Sequence, residues 1–256
     1  MEVSRYQIEP QIEIIDSLPM LYLEDLKALV LADLHLGIEA IMSEDGSFSP
    51  YNQTKQLTKK VIDYLRKIKP KLLILNGDIK HSFHEPTKIE NRDVKEFLES
   101  ISIFVKEIHI IKGNHDLFLS WAIKDIENVN FYEESFLKGQ YFFSHGDKPL
   151  PESLPDDVKY VIIAHEHPVF SLKVNKLQKI KAPTFLLGPL NNSKAKLIVL
   201  PAFSSYSVGT PIYPYYTDNL LSPILRENAI LPEFELFVLD EKKEVLHFPS
   251  FKLWYK

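Results

Sequence analysis

The chain has 256 residues, is 45% hydrophobic and carries a formal net charge of −5 with no cysteine. That length and apolar content suffice for one full hydrophobic core, and the mild acidity argues against a protein coated in basic surface. The lack of cysteine excludes disulfides, thiolate ligands and a cysteine nucleophile, so any metal site must draw on His, Asp, Asn and Glu. No apolar run approaches the ~18 residues needed to cross a membrane, and the opening MEVSRYQIEP carries no apolar signal segment. The expectation is a soluble, cytoplasmic protein without membrane contact.

In chain order, Ile8 to Leu23 alternates enough to predict two short strands joined by a turn at Asp16 to Pro19, placed on a sheet edge. Leu29 to Ala32 reads as a buried strand that stops at Asp33 and His35. A polar loop, Met42 to Pro50, precedes a helix over Tyr51 to Lys69, where Leu57, Val61, Ile62, Leu65 and Ile68 recur at helical period and Pro70 ends it. KLLILNGD (Lys71 to Asp78) is a second strand ending in a carboxylate, followed by a loop with His81 and His84. Val94, Phe97, Leu98, Ile101 and Val105 mark a second helix. EIHIIKGNHD (Glu107 to Asp116) repeats the strand pattern, and Leu117 to Ile126 predicts a short helix with Trp121 and Ala122 facing the core.

Asn130 to Phe136 leads into a hairpin at Lys138 and Gly139. QYFFSHGD (Gln140 to Asp147) and KYVIIAHEHP (Lys159 to Pro168) then stop at His145, His165 and His167. Strand, helix, strand, helix, strand gives a parallel sheet with right-handed crossovers. Beyond Pro168 the helical period disappears, and Phe185 to Leu187, Lys196 to Leu200, Phe234 to Leu239 and Val245 to Phe248 read as a second, mostly antiparallel sheet completing a sandwich. One domain over 1–256 is expected, with an α/β metal-site half at 28–168 and a mostly β half at 169–256.

Five strand ends thus converge on one pocket. Only 8 glycines are present, and Gly37, Gly77, Gly113 and Gly146 sit beside the polar clusters, where sharp turns and close backbone approach are needed. Asp33, His35, Asp78, Asn114, His145, His165 and His167 form a donor set suited to a pair of divalent cations sharing one carboxylate, with a phosphate ester as the natural substrate. His109 and His247 fall in strands and read as packing or surface residues. Asp116, Asp147 and Glu166 flank donors and read as hydrogen-bonding or solvent-facing groups.

DLH, GDIKH, GNHD, HGD and HEH, in that order, resemble the signature of the calcineurin-like metallophosphoesterases over about Leu29 to Pro168. The resemblance implies an α/β sandwich of two mixed sheets flanked by helices. It implies one metal held by Asp33, His35, Asp78 and His167 and a second by Asp78, Asn114, His145 and His165, with Asp78 as the bridge. His115 would assist the leaving oxygen, and a metal-bridging hydroxide would attack the phosphorus. ADLHLGIE, GDIKHSF, AHEHP and PAFSS are similar to a prokaryotic branch of DNA-ligase-associated phosphoesterases, although Ala164 stands where many relatives have Gly. GDIKH is also similar to the nucleases that process DNA double-strand breaks, and it implies that His81 orients His115. Mn²⁺ is the favoured metal, with Zn²⁺ or Fe as alternatives. A phosphomonoesterase, a small-diester or cyclic-nucleotide phosphodiesterase and a non-catalytic scaffold of the same fold remain alternatives.

Val169 to Thr217 contains no acidic residue but six lysines, Lys173, Lys176, Lys179, Lys181, Lys194 and Lys196. Interleaved with Phe170 and Phe185 and followed by Tyr206, Tyr213, Tyr215 and Tyr216, they suggest a cationic, stacking-capable wall for single-stranded nucleic acid. Lysines on the solvent side of strands are the alternative.

Overall fold

Two sheets pack face to face because their strands alternate between two apolar surfaces. In β4 (Ala28–Leu31) every side chain is buried, Leu29 and Leu31 against helices and Ala28 and Val30 against the opposing sheet. This is why the strand reads as an unbroken apolar run. The computed structural model describes residues 3–39, 53–173, 179–240, 242 and 244–255; the Met42 to Pro50 loop lies outside them.

The first sheet has the order β1 (Arg5–Glu9), β2 (Ile12–Ile15), β3 (Leu21–Leu23), β4, β5 (Leu72–Asn76), β6 (Glu107–Ile111), β7 (Val129–Tyr132). β1 to β4 pair antiparallel and β4 to β7 parallel. Three strands stand where two were predicted, since Gln11 at φ 68° turns the chain tightly between β1 and β2. The turn after β2 falls as expected, with Asp16 and Ser17 at positive φ.

Helix α1 (Gln53–Ile68) buries Leu57, Val61 and Leu65 on this sheet, with Lys69 at φ 51° following it. Helix α2 (Lys88–Ser102) starts at Thr87, whose Oγ1 accepts from Glu90 N at 3.1 Å, and it buries Val94, Phe97, Leu98 and Ile101. The short helix α3 (Ser120–Ile123) buries Ala122 but leaves Trp121 55% exposed, contrary to the expectation for that residue. A four-residue helix has too few turns to fix one face against a core.

The second sheet runs β14 (Thr210–Pro211), β11 (Pro168–Lys173), β12 (Lys179–Pro189), β13 (Lys196–Val199), β10 (Tyr160–Ile163), β9 (Tyr141–Ser144), β8 (Ser135–Lys138). The antiparallel pair β15 (Glu235–Leu239) and β16 (Val245–Phe248) joins through β12. It therefore starts at β8 and not after Pro168: β9 and β10, expected in the first sheet, are parallel neighbours in the second. Buried apolar strands read alike whichever sheet receives them. Helix α4 (Pro223–Glu227) covers its outer face. No helix among the described residues is long and apolar enough to cross a membrane.

Candidate metal centre

All seven predicted metal-binding residues follow the carboxyl ends of strands, and six of them, all but Asn114, bring donor atoms together in two adjoining groups. Asp33 and His35 follow β4, Asp78 follows β5 and Asn114 follows β6; His145 follows β9, while His165 and His167 follow β10. The loops are locked by main-chain bonds that continue the ladders: Asp33 N donates to Gly77 O at 3.0 Å, His35 N to Asp78 O at 2.9 Å and Ala164 N to His145 O at 2.8 Å. Asn76 ties the sheets together from below, its amide donating to Ser144 O at 3.0 Å and Ile162 O at 3.2 Å.

Asp33, His35, Asp78, His165 and His167 all have positive φ, between 46° and 65°. Non-glycine residues rarely adopt this conformation, and it concentrates at functional sites. It swings each side chain off the strand direction into the cleft between the sheets. Glycines do the same for the backbone: a Cβ on Gly77 would lie 2.1 Å from His145 Nδ1, and one on Gly113 2.1 Å from Asp78 Oδ1.

Asp78 sits at the centre. Its Oδ2 is 3.3 Å from His145 Nε2 and 3.8 Å from both His35 Nε2 and His115 Nε2. Asp33 Oδ1 is 3.2 Å from His167 Nε2, and His35 Nε2 and His167 Nε2 are 3.5 Å apart. Two groups of donor atoms, each spanning no more than 4.8 Å, could hold a cation: Asp33, His35, Asp78 and His167, and Asp78, His145 and His165. Both contain Asp78. A third group, His35, His81 and His115, lies alongside.

Among the described residues, several buried donor atoms have an ion-pair neighbour at most and no well-directed hydrogen bond: both carboxylate oxygens of Asp33, Asn114 Oδ1 and His145 Nε2. Leaving such groups unpaired costs about 1–3 kcal/mol each. Asp33 and His145 belong to the two donor groups, which fits a cradle whose remaining partner is a cation. Protonation follows the same field. Burial holds His35 neutral, down at about 3, and His165 at about 4, where the nearby His145 adds to the effect. Both imidazoles therefore offer a lone pair to a metal. Burial alone would lower His145, but Asp78 and Asp33 outweigh it and raise its proton affinity; the same carboxylates would draw a metal ion. His145 Nδ1 donates to Asn76 O at 2.9 Å, which leaves Nε2 facing Asp78.

His115 stands beside this cluster with its Nδ1 bonded to the main-chain carbonyl of His81. The ring of His81 does not make that bond; its Nδ1 lies 3.4 Å from His35 Nδ1, and its plane stacks near His115 with centroids 5.5 Å apart. His81 therefore meets His115 through its carbonyl, with the two rings stacked alongside.

Glu90 is a participant that the sequence did not single out. It is fully buried, and its Oε1 accepts from His81 N at 2.9 Å and Ser82 N at 2.8 Å. Its place three residues after Thr87 matches a capping box, but the carboxylate reaches the neighbouring loop instead. Asp116 Oδ1 accepts from Ile79 N at 2.8 Å, and Glu166 Oε2 from Ser222 N at 2.9 Å. His109 is packed, with Nδ1 3.0 Å from Tyr132 Oη, and His247 pairs with Glu235 at the surface. His84 is exposed.

The lysine segment is divided. Lys196, paired with Glu9, begins β13 opposite Tyr160, at the far end of the sheet from the His165 loop. Lys181 lies nearer, its Nζ 3.4 Å from Gly209 O on the loop that pairs with His167. Lys176 is outside the described residues, as are the side chains of Lys173 and Lys179.

Among solved structures, the nuclease MPE of Pseudomonas putida matches with TM-score 0.64 and 18% identity, covering 96% of this chain and 100% of that one. That likeness shows the fold. The phosphoesterase YfcE of E. coli is similar with TM-score 0.42 and 13% identity, covering 87% of this chain and 98% of that one. Residues 26–230 match the calcineurin-like phosphoesterases, and with that match spanning most of the sequence the chain belongs to this family of metal-dependent hydrolases.

Proposed function

We propose that the chain is a dinuclear phosphodiesterase of nuclease-like type, with Asp33, His35, Asp78 and His167 around one divalent cation and Asp78, Asn114, His145 and His165 around the other. The observation that carries this is the sharing of Asp78 by both groups of donor atoms. When bound there, two cations would supply Lewis acidity toward the phosphoryl oxygens and an attacking water. Mn²⁺ suits the mixed oxygen and nitrogen donors.

The protein's own groups do the rest. Asp78, held by the His115 main-chain N–H on Oδ1 at 3.0 Å, keeps Oδ2 directed at the cluster. His115 in its imidazolium form gives Nδ1–H to His81 O and keeps Nε2–H for the departing ester oxygen as the P–O bond breaks. A DNA alkoxide needs that proton, whereas p-nitrophenolate leaves without one. The fold shared with the Pseudomonas putida nuclease supports a diester substrate.

The test is hydrolysis by Mn²⁺-loaded protein of bis-p-nitrophenyl phosphate, p-nitrophenyl phosphate and labelled single- and double-stranded DNA. Diester cleavage is expected, lost in Asp78→Asn on every substrate. His115→Ala should fall by ~10²–10⁴ on DNA and far less on the p-nitrophenyl diester. Monoester hydrolysis alone would establish the phosphatase alternative, and no hydrolysis above Asp78→Asn would leave a scaffold.

A further inference from the structure

We propose that Phe83, together with the Phe118 and Trp121 pair, forms a stacking shelf for an unpaired nucleobase on the leaving side of the scissile phosphate. The preferred substrate is then single-stranded nucleic acid. The inference rests on the phosphodiesterase reading above and gives its substrate class.

Phe83 lies over His115 with ring centroids 3.6 Å apart and an interplanar angle of 33°, yet it remains 51% exposed. One part of the ring covers the histidine assigned to the leaving oxygen, and about half of the residue is open to solvent beside it. Phe118 and Trp121 follow His115 by three and six residues, are exposed, and lie 4.9 Å apart. Phe118 holds φ 67°, which an aromatic residue rarely adopts. Bonds from Leu119 N to Asp116 O at 3.2 Å and from Trp121 N to Phe118 O at 3.1 Å maintain the turn that keeps it there. Leu117 is also exposed.

Exposed aromatic side chains on the segments that carry His81 and His115 have a use when a substrate covers them. A phosphate alone gains nothing from a ring. A base does, at about 1–3 kcal/mol per stacked base, and without regard to sequence because every base presents a π face. In a duplex those faces are already occupied by neighbours, so the shelf selects strands whose bases are free. Cleft and shelf divide the nucleotide between them: the phosphate meets His115 Nε2, 3.8 Å from Asp78 Oδ2, and the base meets the ring that covers the same histidine.

The experiment uses full-length, Mn²⁺-loaded protein and a short single-stranded DNA, its duplex, and the same strand with abasic positions. Binding is also followed under Ca²⁺ by quenching of a 2-aminopurine base. Wild type should favour the single strand over the duplex. Phe83→Ala and Trp121→Ala should each raise KM on the single strand about tenfold and reduce the quenching, with melting temperature unchanged, while Phe83→Tyr keeps both. Abasic DNA should bind wild type about tenfold more weakly but leave Phe83→Ala unaffected, since the two losses share one contact. Equal KM for wild type and Phe83→Ala on intact DNA, in a protein that cleaves it, would overturn the shelf alone. A wild type that hydrolyses monoesters but no diester would overturn the phosphodiesterase reading and the shelf with it, before any variant is made.

Discussion

Removing the carboxylate of Glu90 should loosen the His81 loop and, through it, His115. In Glu90→Ala, Ser82 N–H loses a charged acceptor, worth about 1.5–3 kcal/mol. His81 N–H falls back on Leu36 O at 3.2 Å and loses less. The truncation also leaves a void against Gly37, whose added Cβ would lie only 2.7 Å from Glu90 Cγ, so that side of the site is tightly packed. Against these losses, Glu90 Oε2 is buried with no hydrogen-bond partner among the described residues, and its removal returns part of the cost. The net is a destabilisation of about 2–3 kcal/mol, or roughly 4–12 °C in Tm for a chain of this size. Glu90→Gln retains the Oε1 acceptor and should lose about 1 kcal/mol. Because the His81 carbonyl holds His115 Nδ1, kcat on DNA should drop about 10–100-fold in Glu90→Ala and recover in Glu90→Gln. Calorimetry and steady-state kinetics give both numbers. A Glu90→Ala protein with wild-type Tm and wild-type kcat would refute the reasoning.

Asp93 provides a pH test away from the metal cluster. Burial, then Glu96 and Glu39, push its carboxyl up to about 6. Between about pH 4 and 6 the folded protein keeps a proton that the unfolded chain has released, so stability falls with rising pH across that window and the deficit persists above it. Asp93→Asn should match wild type near pH 4 and exceed it near pH 7 by on the order of 2 kcal/mol, less what the exposed Arg92 pair returns. A gap in Tm that does not grow with pH would contradict this. Gly113→Ala puts a Cβ 2.5 Å from Asp78 N and 2.1 Å from Asp78 Oδ1, so metal content by mass spectrometry and activity should both collapse. Gly139→Ala, whose Cβ meets Leu26 Cδ2 at 3.7 Å, should lose only about 1 kcal/mol to its positive φ and keep its metal. Full metal content in Gly113→Ala would show that Asp78 can move aside.

The residues gathered at the cleft were legible because each follows a buried strand, and a strand's carboxyl end is where such a fold opens to ligands. Asp33 after LVLA and His145 after YFFS needed only an apolar run and a polar stop. The sheet that receives each strand was not legible: β9 and β10 are as apolar as β5, and only long-range pairing assigns them. Of the antiparallel pair β11 and β12, only Phe185 to Leu187 was legible, because lysines and Pro183 interrupt the apolar residues of the rest. Glu90 was hidden by a helix context in which a glutamate three residues after a threonine already has an ordinary explanation. The left-handed backbone of Asp33, His35 and Asp78 leaves no trace in residue type, since asparagine or glycine would be the usual occupants.

Anomalous diffraction from crystals grown with Mn²⁺, in wild type and in Asp78→Asn, tests the shared carboxylate most directly. Wild type should show two peaks about 3.5–4 Å apart with the Asp78 side chain between them, and Asp78→Asn should lose occupancy at both. A single peak, or two peaks that persist unchanged in the variant, would contradict a dinuclear centre built on Asp78.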